Sequence, residues 1–299
     1  MTVRIAVDWG TSALRLWVLG EDGNVRAERR SDDGMGKLRA EDFEPAFLAL
    51  ARDLIEGAEH VEVVICGMAG ARTGWAEAAY LPVPCQPVGK GAITVETQDK
   101  RLSVRILPGL SQTTPADVMR GEETQIVGFL SANPSFDGVL CLPGTHSKWV
   151  RIENGEVTFF QTMMTGELFA LLSKSSVLRL SMDDADAWSE EAFADGVQTA
   201  LNAPAQSMAA LFSLRAEGLL GTVPEGEARS KLSGLLIGQE LAAMRGLWTA
   251  YPVALIGAKD LSARYAKALR LCGVEVKCAD GDTMVLDGLR AAFEKWGEL

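Results

Sequence analysis

The 299-residue chain carries 29 Lys and Arg against 40 Asp and Glu, which gives a formal net charge of −11. A protein that binds nucleic acid needs a basic surface, and the longest basic runs here are two residues, as at Arg29-Arg30, so the charge argues against a nucleic-acid partner. With 47% hydrophobic residues and 30 glycines, the composition excludes a disordered or fibrous chain, and the length favours a globular enzyme of two domains.

The amino terminus and the cysteines bear on the compartment. No run of 18 apolar residues occurs, and the chain enters an apolar strand at Val3 without the segments of a signal peptide, so we expect a cytoplasmic protein with no membrane partner. The five cysteines are scattered and mostly within apolar runs, which favours reduced core thiols. Only His60 and His146 could supply imidazole ligands, and without CxxC or HExxH a zinc site is disfavoured.

The first predicted elements are three short strands. Arg4–Asp8 is a largely apolar run that ends in Trp9-Gly10-Thr11, and the apolar pattern resumes at Leu14–Leu19. Glu21–Asn24 is a polar turn that contains glycine, and a third strand begins after it at Val25. The layout is therefore strand, glycine turn, strand, tight turn, strand.

A strand with a long loop and then a helix are predicted next. The apolar run Val61–Cys66 predicts a strand, and the loop after it, Gly67–Trp75, combines glycines with an arginine and a tryptophan. Farther on, Pro115-Ala116-Asp117 leads into Val118–Leu130, whose apolar spacing is compatible with a helix. Asp117 is well suited to cap the amino terminus of that helix, which is a sufficient structural role for this residue.

The layout of the first hairpin returns in mid-chain. Gly138–Leu142 leads to Pro143-Gly144-Thr145, and a strand follows at Lys148–Ile152. Asn154-Gly155 then turns the chain into Val157–Phe160. Both copies carry Gly-Thr before the second strand, a Trp-Val pair soon afterwards and an acidic turn centred on glycine. The shared Gly-Thr favours an internal duplication over two unrelated hairpins.

The repeated Gly-Thr turns suit phosphate binding. Glycine lets the backbone approach a phosphate, and the amides and hydroxyls that follow can donate to its oxygens, so two such turns could clasp one triphosphate. Asp8, at the end of a buried strand two residues before Gly10, suits Mg²⁺, whereas Leu142 occupies that place in the second copy. The alternative for Asp8 is a turn cap, which is the weaker interpretation because an ionised group at the end of a buried strand needs a partner.

Other nucleotide motifs do not occur in the sequence. Neither the phosphate-loop pattern G-x-x-x-x-G-K-[ST] nor the dinucleotide pattern G-x-G-x-x-G is present. Near the carboxyl end, Val253–Ala258 is an apolar strand that closes with Gly257, and Ser262–Leu271 has helical spacing. Many α/β proteins contain a strand, a glycine turn and a helix in this order, so the pattern alone identifies no ligand.

Eight segments, in order along nearly the whole chain, carry a family resemblance: Val7–Arg15, Asp32–Met35, Cys66–Trp75, Leu107–Leu110, Asp117–Gln125, Cys141–Val150, Met164–Ala170 and Ser233–Gly238. Together they resemble the 2-dehydro-3-deoxygalactonokinase family, within the superfamily of sugar kinases, hexokinase, actin and heat-shock chaperones. The first segment is common to the superfamily, whereas M-R-G-E-E-T-Q and L-P-G-T-H-S-K-W are characteristic of the family. The sequence departs from the pattern at Ala13-Leu14, Ala69 and Ala71, which bears on substrate contacts more than on the reaction.

The resemblance implies an α/β, two-domain actin-like ATPase (ribonuclease H-like) fold with a duplicated mixed sheet and an interdomain cleft. We place the domains at residues 1–132, with the sugar-acid pocket, and 133–299, with the adenosine site, the last helix being free to pack back on the first domain. The resemblance also implies ATP and Mg²⁺ as cofactors. The reaction would transfer a phosphoryl group to the 6-hydroxyl of 2-dehydro-3-deoxy-D-galactonate, a small sugar acid, in galactonate degradation.

The resemblance further implies roles for both Gly-Thr turns. Asp8 would anchor Mg²⁺, and the phosphates would be held by Gly10, Thr11, Ser12, Gly144, Thr145 and His146. Arg15 and Lys148 would offset phosphate charge, although an outward strand residue in solvent is an equally good interpretation of Lys148. For His146, a contact with phosphate or substrate is favoured over a structural role. Gly257 would receive the adenosine.

A general base is expected at the start of the helix that precedes the second hairpin, because related sugar kinases carry theirs there. Asp117 fits this place, and Glu122 and Glu123 follow one turn later. A carboxylate is required to accept the proton of the acceptor hydroxyl. The sequence leaves open which of the three is the base.

A sugar acid needs a cation for its carboxylate, and arginine recognises carboxylates best. Arg72 lies with Trp75 in the glycine-rich loop after a strand, where open α/β sheets bind ligands. Asp33, Gly34 and Met35, on the loop after the third strand, would close the pocket. The alternative is a glycine-rich turn in which Trp75 covers the core.

Two functions of other kinds compete with a kinase. A nucleotide-switched chaperone or filament protein would use the same fold without a small acceptor, but such proteins usually need segments beyond a core of this length. A sensor that binds a sugar acid without turnover is disfavoured because Asp8 and Asp117 are both present. The sequence does not decide between the galactonate and gluconate epimers, and it leaves the oligomeric state open, a homodimer included.

Overall fold

The computed structural model describes residues 1–87, 91–182, 188–221 and 227–297, and the chain divides into two compact units. The first unit contains Met1–Phe136, Ile152–Phe159 and Gly281–Leu299, and the second contains Asp137–Arg151 and Phe160–Asp280. The last helix of the chain thus belongs to the first unit. The predicted domain boundary after residue 132 stays a prediction.

The described residues form fourteen strands and nine α-helices. The strands are β1 Thr2–Trp9, β2 Leu14–Leu19, β3 Val25–Ser31, β4 His60–Gly67, β5 Tyr80–Pro82, β6 Ile93–Val95, β7 Leu102–Ile106, β8 Gly109–Thr113, β9 Ala116–Met119, β10 Gly138–Leu142, β11 Ser147–Glu153, β12 Glu156–Met163, β13 Val253–Gly257 and β14 Lys277–Asp280. The helices are α1 Phe43–Ala51, α2 Glu122–Ala132, α3 Thr165–Lys174, α4 Glu190–Asn202, α5 Ser207–Leu220, α6 Glu227–Ala243, α7 Arg245–Trp248, α8 Lys259–Leu271 and α9 Gly281–Glu294.

The main sheet of the first unit has the strand order β3-β2-β1-β4-β7-β6. β1, β2 and β3 are antiparallel neighbours, β1, β4 and β7 are parallel, and β6 is antiparallel to β7. β1 and β4 are buried on both faces of the sheet, as central strands require: most of their valines and isoleucines lie in the core on one face, and Ala6 and Val64 lie in the core on the other. One face packs on α1 through Phe43 and Phe47, and the other packs on α9 through Leu289 and Phe293.

The second large sheet has the strand order β12-β11-β10-β13-β14. β13 is parallel to both β10 and β14. Asn154 and Gly155, both with positive φ (52° and 78°), form the two-residue turn between β11 and β12, and such a short connection joins only antiparallel strands. Phe193 of α4, Ile237 of α6 and Leu269 of α8 belong to the apolar core beside this sheet.

The two large sheets repeat one arrangement. In each, three successive strands lie side by side, and a later strand joins the first of them in parallel. In each, a Gly-Thr pair lies in the connection between the first and second strands, at Gly10-Thr11 and at Gly144-Thr145. The predicted duplication of a mixed sheet is confirmed, and the fold is that of the two-domain actin-like ATPases.

The helix predicted from Val118 begins later, at Glu122. Ala116–Met119 instead forms β9, which pairs with β8 in a small sheet of order β5-β8-β9. Asp117 lies in this strand opposite Gln112, so the prediction of Asp117 as the start or cap of the helix is wrong. The physical reason is that a short apolar run such as Val118-Met119 fits a strand as well as a helix, and pairing with β8 decides for the strand.

Two further features concern the whole chain. Within the described ranges, no helix is both long enough and apolar enough to traverse a bilayer. All five cysteines are free; Cys66 and Cys141 are buried, and Cys278 is exposed.

Candidate active site

The first Gly-Thr turn connects β1 to β2 at the carboxyl end of β1. The Gly10 amide donates to the Ala13 carbonyl (2.9 Å), which closes the turn, and Thr11 and Ser12 are exposed at its tip. The turn therefore presents hydroxyls beside a backbone without a side chain, as phosphate binding requires.

Asp8 and Arg15 face each other across this hairpin. They are paired in the register of β1 and β2, and the Arg15 guanidinium donates to Asp8 Oδ2 over 2.6 Å. Arg15 also forms an ion pair with Asp282 in the first turn of α9. Both Asp8 and Arg15 are about one-fifth exposed, so this charge pair is partly shielded from water. Arg15 is thus fixed between two carboxylates and is not a solvated strand residue.

The loop after β3 packs directly on the first Gly-Thr turn. The Met35 amide donates to the Gly10 carbonyl (3.0 Å), and the Gly36 amide donates to the Thr11 carbonyl (2.9 Å). A Cβ atom at Gly34 would collide with the backbone of Thr11 and Ser12, so glycine is required for this close approach. The structure therefore brings Asp33, Gly34 and Met35 beside the predicted phosphate-binding residues.

The glycine-rich loop after β4 adjoins the same turn. Gly67 has a positive φ of 88°, and a Cβ there would lie 2.8 Å from the Trp9 carbonyl oxygen and 3.4 Å from Asp8 Oδ1. Trp75 packs edge-on against Trp9, with ring centroids 5.9 Å apart, so it covers the core as the alternative interpretation predicted. Arg72 is exposed on this loop. The contact of Arg72 and Trp75 with substrate stays a prediction.

The amino terminus of α2 completes this cluster. A Cβ at Gly121, the residue before α2, would lie 3.4 Å from the Gly67 Cα, so the start of the helix adjoins the loop beside Asp8. The Gly121 amide donates to both carboxylate oxygens of Glu123 (2.9 and 2.7 Å), and the Arg120 amide donates to Glu122 Oε2 (3.1 Å). Glu122 is half-buried, whereas Glu123 is fully buried.

Glu123 has a perturbed pKa. Burial, together with the negative charge of Glu122, raises the pKa of Glu123 from 4.5 to about 8, against the opposing effect of the backbone amides. The Glu123 carboxyl group is therefore protonated near neutral pH, and it accepts hydrogen bonds from the Gly121 amide at the start of α2. It is poorly placed to take a proton from a substrate. Of the two glutamates, Glu122 is the more exposed.

Arg120 is a cation that the sequence analysis did not single out. It is buried, its guanidinium stacks over the Tyr80 ring at 4.2 Å, and it donates to the Ala78 carbonyl (2.7 Å). Its Nη1 atom has no hydrogen-bond partner among the described residues and lies 2.7 Å from where a Cβ of Gly70 would be. A buried guanidinium with an unsatisfied donor produces a positive potential beside the glycine-rich loop.

The second Gly-Thr turn lies against the amino terminus of α3. A Cβ at Gly166 would collide with the Gly144 carbonyl, and the Glu167 amide donates to the Thr145 carbonyl (2.9 Å). Glu167 Oε2 lies 2.6 Å from His146 Nε2, which orients the exposed imidazole. The helix therefore directs the positive end of its dipole toward the turn, which favours an anionic ligand.

Lys148 follows this turn on β11. It is buried, and its ammonium donates to the His146 carbonyl over 3.1 Å. The interpretation of Lys148 as an outward strand residue in solvent is therefore wrong. The cation lies directly behind the second turn, in a position that favours negative charge there.

A buried carboxylate holds the elements behind the second turn together. Glu240 of α6 accepts hydrogen bonds from Trp149 Nε1 (2.7 Å), from the Tyr265 hydroxyl (2.8 Å) and from the Thr165 hydroxyl. Burial raises the pKa of Glu240, while these donors oppose the shift. Ser147, the first residue of β11, is linked to the same group through Tyr265 (2.8 Å). Nothing local in the sequence indicates this network, because its members are far apart along the chain.

The predicted adenosine turn has the expected local structure. Gly257 ends β13, and α8 begins two residues later at Lys259. A Cβ at Gly257 would lie 3.2 Å from Ser262 Oγ, and this buried hydroxyl has no hydrogen-bond partner within the described part of the chain. An unsatisfied hydroxyl beside a glycine turn is suited to a polar ligand, but adenosine binding stays a prediction.

Comparisons with known proteins extend over this whole arrangement. A model of the 2-keto-3-deoxy-galactonokinase family matches residues 8–292. A Rhizobium meliloti (strain 1021) protein that carries the name probable 2-dehydro-3-deoxygalactonokinase is 41% identical over 292 residues, which are 96% of this chain and 95% of that one. The Escherichia coli (strain K12) 2-dehydro-3-deoxygalactonokinase is 36% identical over 295 residues, or 97% and 98% of the two chains.

A solved structure shows the same similarity in three dimensions. The crystal structure of a Sinorhizobium meliloti protein, described under the name 2-dehydro-3-deoxygalactonokinase, aligns with a TM-score of 0.89 at 40% sequence identity. The alignment covers 99% of this chain and 97% of that one. The similarity in sequence and in structure therefore extends over nearly the whole chain.

Proposed function

Because the chain belongs to the 2-keto-3-deoxy-galactonokinase family, we propose that it transfers the γ-phosphoryl group of ATP to the 6-hydroxyl of 2-dehydro-3-deoxy-D-galactonate. The observation that carries this proposal is the cluster in the first unit, where the first Gly-Thr turn, the two predicted sugar loops and the start of α2 adjoin Asp8. A nucleotide-switched protein without a small acceptor is not favoured, because the named relatives are kinases.

ATP is bound, in this proposal, through its phosphates at Gly10, Thr11 and Ser12 and at Gly144, Thr145 and His146. Exposed amides and hydroxyls on glycine turns suit phosphate oxygens, and the dipole of α3 with the buried Lys148 adds positive potential at the second turn. The adenosine would lie at Gly257, where the Ser262 hydroxyl lacks a partner.

Mg²⁺ is the metal that this chemistry requires. No cluster of three or more metal-ligating side chains occurs among the described residues, and Asp8 has one oxygen on Arg15 and the other near only the weak donor Cys66, whose Sγ is 3.8 Å away. A single carboxylate fits Mg²⁺, which usually keeps its waters and the phosphates of the nucleotide as its other ligands. Asp8 would hold the ion, whose charge stabilises the transferring phosphoryl group.

Glu122 is proposed as the general base. Asp117 lies in a strand, and Glu122 is the first residue of α2. The resemblance implies a base at the start of this helix. Glu123 is fully buried and accepts from the Gly121 amide, whereas Glu122 is half-buried. Glu122 would align the 6-hydroxyl and accept its proton as the oxygen attacks the γ-phosphorus.

The carboxylate of the sugar acid would be bound by arginine. Arg72 is exposed on the glycine-rich loop, and Arg120 lies beneath Gly70 of the same loop with one donor unsatisfied. We expect Arg72→Gln to raise KM for the sugar acid by about 10-fold or more while KM for ATP is unchanged, because the contact is to the acceptor alone. Equal changes in both constants would indicate a structural effect.

A coupled assay of ADP release tests the proposed function. ADP release that depends on 2-dehydro-3-deoxy-D-galactonate supports the kinase. A parallel reaction with the gluconate epimer measures how much the inversion of one hydroxyl changes the rate. ADP release that is the same with and without either sugar acid would overturn the proposal.

A further inference from the structure

Helix α5 is apolar on both of its sides. Leu214, with Ala210 and Leu211 around it, packs into a core cluster of the second unit. On the opposite side the helix exposes large apolar side chains, namely Met208 (69%), Phe212 (64%), Leu219 (68%) and Leu220 (76%). The other exposed positions among them are Ala209, Ser213 and Gly218, which carry no charge, and the half-exposed Arg215 borders this side. A run of large apolar side chains on the exposed side of a helix is normally covered by another surface.

The exposed apolar surface continues beyond α5. A short 3-10 helix, Val177–Ser181, packs against both α3 and α5, and Arg215 of α5 donates to Ser181 Oγ (3.3 Å). The apolar face, as we define it, joins these three elements and consists of Leu168, Leu171, Val177, Leu180, Met208, Phe212, Leu219 and Leu220. These are eight of the fifteen large hydrophobic residues that are exposed in the described ranges, so the exposure is concentrated here.

The area of the apolar face is that of a protein interface. Its eight exposed side chains present roughly 800 Å² of apolar surface, which matches the ~800 Å² that each partner contributes to a stable complex. Isolated exposed hydrophobic residues need no explanation, but a contiguous patch of this size marks an interaction site.

The charge around the apolar face indicates which kind of partner binds there. The chain carries −11, yet α3, the 3-10 helix and α5 together hold two acidic residues, Glu167 and Glu217, against three basic ones, Lys174, Arg179 and Arg215. Two copies of a strongly acidic protein repel each other except where the acidic excess is missing, and this face lacks it. An anionic membrane surface would instead require a cluster of about four or more basic residues beside the apolar face, whereas these three elements hold three.

We propose that the apolar face is the interface of a homodimer. A second copy offers the same apolar surface without an acidic excess, and a two-fold axis would pack α5 of one protomer on the apolar face of its partner. A face depleted in charge and rich in Leu, Met and Phe has the composition of a homodimer interface rather than that of a transient docking site. This inference does not depend on the proposed kinase activity.

The test compares oligomeric states. Sedimentation equilibrium of the full chain up to about 50 μM should give a dimer, and the double variant Phe212→Glu/Leu219→Glu should raise the dimer dissociation constant by about 100-fold or more, because two unpaired charges enter the buried centre. Leu271→Glu is the matched control, since Leu271 is exposed at the end of α8, outside the apolar face, and this variant should stay dimeric.

Two further measurements distinguish loss of the dimer from loss of the fold. The far-UV circular dichroism of each variant checks that it is folded, and the milder Phe212→Ala should weaken the dimer if the glutamate variant fails to fold. Monomeric wild-type protein, whatever else it binds, would overturn the proposal. So would a wild-type dimer that a folded Phe212→Glu/Leu219→Glu or Phe212→Ala variant leaves intact.

Discussion

At the scale of single residues, the start of α2 separates three carboxylates by their surroundings. Asp117 lies in β9, where its Oδ1 accepts from the Val118 amide (2.8 Å), Glu123 is buried against Gly121, and Glu122 alone is both half-buried and at the helix start. The three carboxylates therefore differ in burial and hydrogen bonding because of the backbone around them. Two predictions follow from this difference.

The first prediction concerns the general base. Glu122→Gln should lower kcat by about 10²-fold or more with little change in KM for ATP, because a base acts on the acceptor proton in the transition state. Steady-state kinetics with saturating sugar acid measures it, and Asp117→Asn, expected to stay near wild type, is the matched control. If Asp117→Asn loses turnover and Glu122→Gln does not, the base is Asp117, one of the three candidates that the sequence leaves open.

The second prediction concerns the buried Glu123, whose pKa is raised from 4.5 to about 8 by burial. Between these values the unfolded chain has lost this proton while the folded chain keeps it, so Glu123 contributes stability below pH 4.5 that is lost as the pH rises toward 8. The free energy of unfolding of wild type, relative to Glu123→Gln, should therefore fall with rising pH. Urea denaturation at several pH values measures the difference, and a constant difference would show that Glu123 titrates normally.

At the scale of elements, both Gly-Thr turns are held by backbone contacts with a neighbouring element. The loop after β3 braces the first turn, and the amino terminus of α3 braces the second, where Gly166 meets the Gly144 carbonyl. These contacts fix the position of each turn before any ligand arrives. Preorganisation of this kind is what electrostatic stabilisation of a transferring phosphoryl group requires.

The third prediction tests this bracing. Gly166→Ala should lower kcat/KM for ATP by about 10-fold or more and destabilise the fold by about 1–3 kcal/mol, because the added methyl group displaces α3 from the turn. Gly246→Ala is the matched control, since a Cβ at Gly246 meets nothing within 4 Å. Activity assays and urea denaturation measure both variants. Equal behaviour of the two variants would show that the packing of α3 on Gly144 does not matter for ATP.

The sequence was informative about elements where the signal is local. The Asn154-Gly155 turn and the Gly-Thr repeat were predictable because turn chemistry depends on neighbouring residues. The helix predicted after Asp117 is wrong because the pairing of β9 with β8 joins two segments of the chain, and an apolar pattern within one segment does not reveal it. Local pattern alone therefore could not locate the start of α2.

At the scale of the whole molecule, the contacts that the sequence does not predict join residues that are distant in the chain. Arg15 meets Asp282, Arg120 stacks on Tyr80, and Glu240 accepts from Trp149. No periodicity relates such pairs, so only the folded chain reveals them. Each of these contacts lies within one of the two units, and each fixes a residue behind or beside a predicted ligand site.

We propose that the phosphoryl group is transferred to the 6-hydroxyl oxygen of the sugar acid, and ³¹P NMR of the reaction mixture tests this most directly. With ATP, Mg²⁺ and 2-dehydro-3-deoxy-D-galactonate, the account predicts a phosphate monoester whose phosphorus couples to the two protons of the C6 methylene group. A product that is inorganic phosphate alone, or a monoester coupled to a single methine proton, would contradict it.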